Sequence, residues 1–177
     1  VLLKAGDGIG TNSNRIEMQD VNTVAAVAAG ASTAGDIYLR QLTGTNSNLT
    51  IGPVAAVNAA STLDNTITSL NGIATSANNN DITVTAQSGS LTITQNVTAH
   101  GAGYVDLRTG GATSDININN SASGATVSST SGTLQLVAGR SILTDSASNT
   151  ATELQTTGNV LLKAGDGIGT NSNRIEM

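Results

Sequence analysis

The chain has 177 residues with a formal net charge of −5, and 26 Thr, 19 Asn and 18 Ser fill over a third of it beside 20 Gly. Aromatic side chains normally anchor a core of this size, each burying roughly 150–250 Å², but two Tyr are the only ones present, so the core must be built from Ile, Leu, Val and Ala. A single Pro excludes collagen, the absence of Cys excludes a disulfide scaffold or a Cys-ligated metal, and 11% charge with regular apolar alternation argues against simple disorder.

The chain opens with VLLKAGDGIGTNSNRIEM, residues 1–18, and the same segment returns unchanged at 160–177. Chance does not produce such an identity. The sequence reads as one 159-residue period followed by the start of the next, a window on a longer tandem array, in keeping with Val1 rather than Met at the start. The repeated segment balances Lys163 and Arg174 against Asp166 and Glu176, so each added period adds the same charge of −5. Such an acidic surface argues against nucleic acid as a partner. No signal-peptide pattern is visible, and no run of about 20 apolar residues exists to insert in a membrane.

A shorter repeat lies inside the period. Gly10-Thr11-Asn12-Ser13-Asn14 precedes Val24-Ala25-Ala26-Val27, and Gly44-Thr45-Asn46-Ser47-Asn48 precedes Val54-Ala55-Ala56-Val57, which suggests an old duplication with a change of loop length. The Ala-rich segments 23–34 and 54–60 allow two readings: short helices, the first capped by Asp20 or Asn22, or a solenoid face narrowed by small side chains.

Five units then share one pattern, a turn residue ahead of apolar-x-apolar. They are Gly35-Asp36-Ile37-Tyr38-Leu39, Asn80-Asp81-Ile82-Thr83-Val84, Gly103-Tyr104-Val105-Asp106-Leu107, Gly132-Thr133-Leu134-Gln135-Leu136 and Gly158-Asn159-Val160-Leu161-Leu162. Each reads as a short strand of period two. Secondary strands are expected at Leu49-Thr50-Ile51, Leu91-Thr92-Ile93, Ile116-Asn117-Ile118, Thr126-Val127 and Ile142-Leu143. The unit starts are 45, 23, 29 and 26 residues apart, with 36 to the next copy of the first. Dividing the longest gap near Ser61-Thr62-Leu63 gives about six units of roughly 20–35 residues per period, a solenoid repeat length.

Short strands, Asn and Gly turns and an aliphatic core together predict an all-β parallel β-helix, one coil per unit. Ile37, Leu39, Ile82, Val84, Val105, Leu107, Leu134, Leu136, Val160 and Leu162 should form its inner ladder, with Tyr38, Arg40, Tyr104, Asp106 and Arg108 facing out.

GNVLLKAGDGIGT, NDITVTAQSGSLTI and SGTLQLVAGRSI resemble the repeats of filamentous-haemagglutinin-type adhesins. The resemblance covers nearly the whole period. It implies a right-handed β-helix within a giant bacterial surface protein, secreted through a partner pore, with an extracellular location and a stalk-like shape. The function it implies is a non-enzymatic structural repeat of a fibre or adhesin filament. Its partners would be adjacent identical repeats, together with other fibres or host and cell-surface glycans.

Chemistry is sparsely encoded. Glu17, its copy Glu176, and Glu153 show no pairing suited to acid–base hydrolysis. A carbohydrate-binding or polysaccharide-lyase-type β-helix would need clustered acids with a base, and Asp106 with Arg108 is the nearest approach, more simply a solvated pair beside core Leu107. His100 precedes Gly101-Ala102-Gly103 and belongs in a turn, with no nucleophile motif around it. Thr83/Thr85 and Thr92/Thr94 raise an ice-binding solenoid, which uneven unit spacing disfavours. Asn48, Asn96 and Asn119 begin glycosylation acceptor triplets, expected by chance in this composition. Ala5-Gly6-Asp7-Gly8-Ile9-Gly10 has the glycines of a calcium-binding repeat but lacks an Asp at the ligand position, and Asp7 suits a turn. No cofactor or metal is expected. Thermal unfolding should therefore move little between a chelator and millimolar calcium. A rise of about 10 °C, well over 1 kcal/mol for this size, would instead assign calcium to Gly6-Asp7-Gly8.

Overall fold

The computed structural model describes residues 1–30, 35–58, 66–77, 79–119, 124–145 and 152–177, and contains strands and turns with no helix among them. The chain opens with β1 (Leu2–Ala5) and β2 (Ile16–Met18), then runs through β3 (Thr23–Ala28), β4 (Ile37–Gln41) and β5 (Leu49–Ile51). An excursion carries β6 (Pro53–Val54), β7 (Val57–Asn58), β8 (Thr66–Ile67) and β9 (Leu70–Asn71) before the chain returns as β10 (Ile73–Thr75). Two regular coils follow: β11 (Ile82–Ala86), β12 (Leu91–Ile93) and β13 (Val97–Ala99), then β14 (Val105–Thr109), β15 (Ile116–Ile118) and β16 (Val127–Ser129). β17 (Leu134–Ala138), β18 (Ile142–Thr144) and β19 (Leu154–Gln155) precede the last strand, β20 (Val160–Ala164).

These strands stack into a parallel β-helix with three faces. The long face is β2-β4-β11-β14-β17-β20, and the second runs from the start of β3 through β5-β12-β15-β18. The third is β1-β3-β10-β13-β16-β19, which the chain crosses on its way back to the long face. Five turns separate β1 from β19. The six coils expected from sequence are thus one too many. The 45-residue gap holds no extra coil. It holds instead the excursion, in which β6 pairs antiparallel with β9 and β7 with β8. The proposed division at Ser61-Thr62-Leu63 lies outside the described residues.

Register turns the apolar pattern into ladders. Ile37, Ile82, Val105, Leu134 and Val160 stack on the long face, and Leu39, Val84, Leu107, Leu136 and Leu162 stack beside them. The first four of each row are fully buried, while Val160 and Leu162 in the last coil are partly buried against the same core. Leu49, Leu91, Ile116 and Ile142 line the second face, and Ile73, Val97, Val127 and Leu154 the third. Aliphatic side chains suit this tube because each meets a similar one directly above and below.

The Ala-rich segments diverge. Residues 23–28 form strand β3 rather than a helix, with Val24, Ala25, Ala26 and Ala28 buried; residues 31–34 lie outside the description. A segment of this length is too short to hold a helix by propensity alone, whereas pairing with β1, β5 and β10 satisfies its backbone on both edges. The matching Val54-Ala55-Ala56-Val57 leaves the tube at the base of the excursion, where Ala55 and Ala56 are exposed. The short internal repeat is one of sequence and not of structure.

Glycines shape the two corners beside the long face. A Cβ at Gly139 would run into the carbonyl oxygen of Gly111, and one at Gly165 into that of Gly139. Gly132 is pressed in the same way on the carbonyl of Gly103. Leu107→Asp should bury an unpaired charge and cost several kcal/mol, and Gly139→Ala should be destabilising because only backbone can give way. Denaturant unfolding followed by circular dichroism checks both, and an unshifted midpoint for Leu107→Asp would contradict the ladder.

Candidate functional site

The outer side of the long face gathers the two aromatic residues with the ion pairs Glu17–Arg40 and Asp106–Arg108. Alternation along β4 sends Tyr38 and Arg40 outward while Ile37 and Leu39 go in. Tyr38 was expected to be solvent-facing, yet it is only 7% exposed. Tyr104 lies two coils further on, and the two hydroxyl oxygens stand 3.3 Å apart. The Tyr38 hydroxyl also donates to Asp36 Oδ2 at 3.4 Å. Burial, reinforced by the Tyr104 hydroxyl and the nearby carboxylates of Asp36 and Asp81, pushes the Tyr38 phenol well above its usual range. It is a protonated donor at every physiological pH.

Asp36 and Asp81 hold this cluster together. Asp36 Oδ1 accepts the backbone N–H of Asp81 at 2.8 Å, and Asp81 Oδ1 accepts that of Tyr104 at 2.9 Å. Burial raises the carboxyl of Asp81, opposed by the Tyr104 N–H bond. The sequence pattern assigns neither acid a role, each being only the polar residue between Gly35 or Asn80 and the strand. The available signal was that an Asp stands just ahead of the strand in two of the five units.

The same device recurs at the next corner. Asn48 Oδ1 accepts from Ser90 N–H at 2.9 Å, Ser90 Oγ from Asp115 N–H at 3.0 Å, and Asp115 Oδ1 from Ser141 N–H at 3.0 Å. Asn79 does this for Ala102 and Asn96 for Thr126. Each time a side chain of one coil caps a backbone N–H of the following coil. Asp115 is also gripped by Arg140, whose Nε donates to Oδ1 at 2.8 Å and whose NH2 group meets Oδ2. The guanidinium holds the Asp115 carboxyl below its usual value, against the opposing effect of burial.

The residues singled out for chemistry do not converge. Asp106 is bound by Arg108 Nε at 2.8 Å on its own strand. Glu17 pairs with Arg40 at 3.4 Å, and Arg15 reaches over the long face to donate to Thr85 Oγ1 at 3.1 Å. Glu153 is fully buried, accepting from Thr144 Oγ1 at 3.2 Å and from the N–H of Glu176 at 2.7 Å. His100 is exposed at a turn, its backbone N–H donating to Thr75 Oγ1 at 2.9 Å. Asp7 lies against Gly30 at a corner, a turn role. Among the described residues, no three His, Cys, Asp or Glu form a metal-holding group. No described helix is long and apolar enough to cross a membrane.

The threonines named for an ice plane are not presented as one. Thr83 is 2% exposed, and the outward ladder through it reads Tyr38, Thr83, Asp106, Gln135, Leu161. The surface also carries shallow concavities. One of about 550 Å³ runs over Thr98, Ser128, Gln155 and Thr157 on the third face. Another, of about 360 Å³, lies between Tyr104, Asp106, Thr133 and Gln135.

The ends of the stack are the other notable surface. β20 pairs with β17 along one edge, and Leu161 and Ile168 are 50% and 46% exposed there. Compared with protein-family models, curated proteins and solved structures, the chain matches none. The class defined on these grounds is that of parallel β-solenoids.

The Asp115 geometry gives a pH dependence. Its folded carboxyl titrates below the unfolded value of 3.8, so the stability it contributes is fully present above that value and is lost as pH falls through the lower folded one. Asp115→Asn should lower the melting temperature at pH 7, and the gap to the parent should narrow as pH falls below 3.8. A gap independent of pH would deny the ion pair its role.

Proposed function

We propose that the chain is a non-enzymatic structural module of a long extracellular fibre, stalk or adhesin filament, built by stacking identical periods end to end. The observation that carries this reading is the overlap: residues 160–177 repeat residues 1–18 at the far end of a stack whose last strand has an unpaired edge. Such an edge offers N–H and C=O groups to another strand, and in an array the next period supplies that strand. The acidic charge of every period keeps neighbouring fibres apart, and the polar outer faces keep them hydrated. The resemblance of GNVLLKAGDGIGT and its companions to filamentous-haemagglutinin-type repeats supports a cell-surface location.

The test uses chains of one, two and four periods. Rod length by small-angle scattering should grow linearly at constant cross-section, by about 26 Å per period at roughly 4.8 Å per turn. Antibodies to the module should label source cells without permeabilisation. Globular growth in three dimensions, or labelling only after permeabilisation, would overturn the reading.

A further inference from the structure

The two copies of VLLKAGDGIGTNSNRIEM sit at opposite ends of the stack and share one local form. Leu3 and Ala5 pack on the core, as do Leu162 and Ala164, while Lys4 and Lys163 are exposed. Gly10 and Gly169 take φ of 73° and 67°. The loop closes alike in both: Thr11 N–H donates to Asn14 O at 2.9 Å, and Thr170 N–H to Asn173 O at 2.7 Å. The Asn14 and Asn173 N–H groups return to the Thr11 and Thr170 hydroxyls at 3.0 and 2.9 Å.

Their seats differ. β1 lies on the third face, against β3 of the following coil, whereas β20 lies on the long face, against β17 of the preceding one. Ile9 bridges Ile37 on the long face, and Ile168 bridges Ile142 on the second. The equivalence of sites expected from an exact translation by one period is therefore not what the fold builds. Since the chain winds from long to second to third face, both shifts are one face forward. Beyond the loop the copies part: Ile16–Met18 pair with β4 on the long face, whereas Glu176 lies beside Glu153 and Leu154 on the third, so the one-face shift is carried by the strand and by Ile9 and Ile168.

Each copy displays one half of a joint, and the halves use different backbone groups. The carbonyls of Val1 and Ala5 accept from Ala25 and Ala29 in the following coil, at 3.0 Å each. The carbonyl of Asn159, just ahead of the second copy, accepts from Leu134 in the preceding coil at 2.9 Å. Ile9 uses its own N–H and C=O toward the following coil, on Asp36 and Tyr38. Around Ile168 the groups turned to the preceding coil are instead the Gly167 carbonyl and the Gly169 N–H, both on Ile142. Alternation along a strand thus leaves the second copy free to make the very bonds the first one makes.

Building on the array reading, we infer that residues 160–177 join successive periods by holding both partners at once, so that each period is turned one face forward from the last. One period is then five turns and one face. It advances the fibre by about 26 Å at roughly 4.8 Å per turn, and three periods restore the starting orientation. The excursion of β6–β9 and the Tyr38–Tyr104 cluster, each present once per period, emerge on the three faces in succession.

The chain has no Cys, so introduced pairs report without background. The test is a two-period chain, residues 1–177 continued by a second run of 19–177. Lys163→Cys is combined with Val27→Cys in the second period, a pair aligned by the Lys4↔Val27 register. The rival pair is Lys163→Cys with Arg40→Cys in the second period, which meets if β20 is followed on its own face by the next β4. Lys163→Cys with Val137→Cys controls for the β17–β20 pairing. Neighbouring parallel strands lie within disulfide reach. The Val27 and control pairs should oxidise to near completion and the Arg40 pair should not. Cross-linking of the Arg40 pair, or of the control alone, overturns the inference, as does failure of all three. A rod of doubled length that cross-links at Arg40 would refute the rotation and leave the fibre reading standing.

Discussion

A coil of this protein satisfies its backbone only through the coils before and after it. No strand of the tube pairs with its sequence neighbour; each N–H and C=O on the three faces points along the axis to a residue more than twenty positions away. Everything else follows from keeping that axial pairing in register. Inward residues must be aliphatic and similar in size from coil to coil, since a mismatch would lever apart two ladders of hydrogen bonds. At corners the chain bends and the backbone ladder lapses. Asn48, Ser90, Asp115, Asp36 and Asp81 supply the missing acceptors there, and Gly111, Gly139 and Gly165 let the bends lie on one another. The unusual composition is the sum of these demands.

The strands and their inner ladder were legible in the sequence because period two is a local property. Ile37-Tyr38-Leu39 or Leu134-Gln135-Leu136 states which side chains point inward wherever the coil lands. Vertical neighbours are not local. Tyr38 reads as an exposed residue until Tyr104, 66 positions later, is laid over it. Asp115 and Arg140 meet only because the intervening coil closes in 25 residues. The same limit governs the repeated pentapeptides: GTNSN and the VAAV after it are the same in two places, yet one VAAV is a buried corner strand and the other the root of a hairpin. Spacing alone also made a sixth coil of a gap whose described strands, β6 to β9, pair with one another and not with the tube.

The long face differs from the other two in what it carries outward. Its ion pairs, Glu17–Arg40 and Asp106–Arg108, are at the surface and contribute little individually. Their effect is on accessibility: Glu17 and Asp106 are each matched by a neighbouring base, Asp36 and Asp81 accept from backbone N–H groups, and Tyr38 is covered and protonated.

The excursion between β5 and β10 leaves the tube at Gly52 and comes back at Gly72, whose N–H donates to the Gly52 carbonyl at 3.4 Å. Nineteen residues are inserted there, and Leu49–Ile51 and Ile73–Thr75 still stack on the regular strands Leu91–Ile93 and Val97–Ala99. The tube is indifferent to what happens between those two glycines. For evolution or for an engineer this corner is a socket, where loops, epitopes or whole small domains can be exchanged at fixed intervals while the rod that displays them is inherited unchanged.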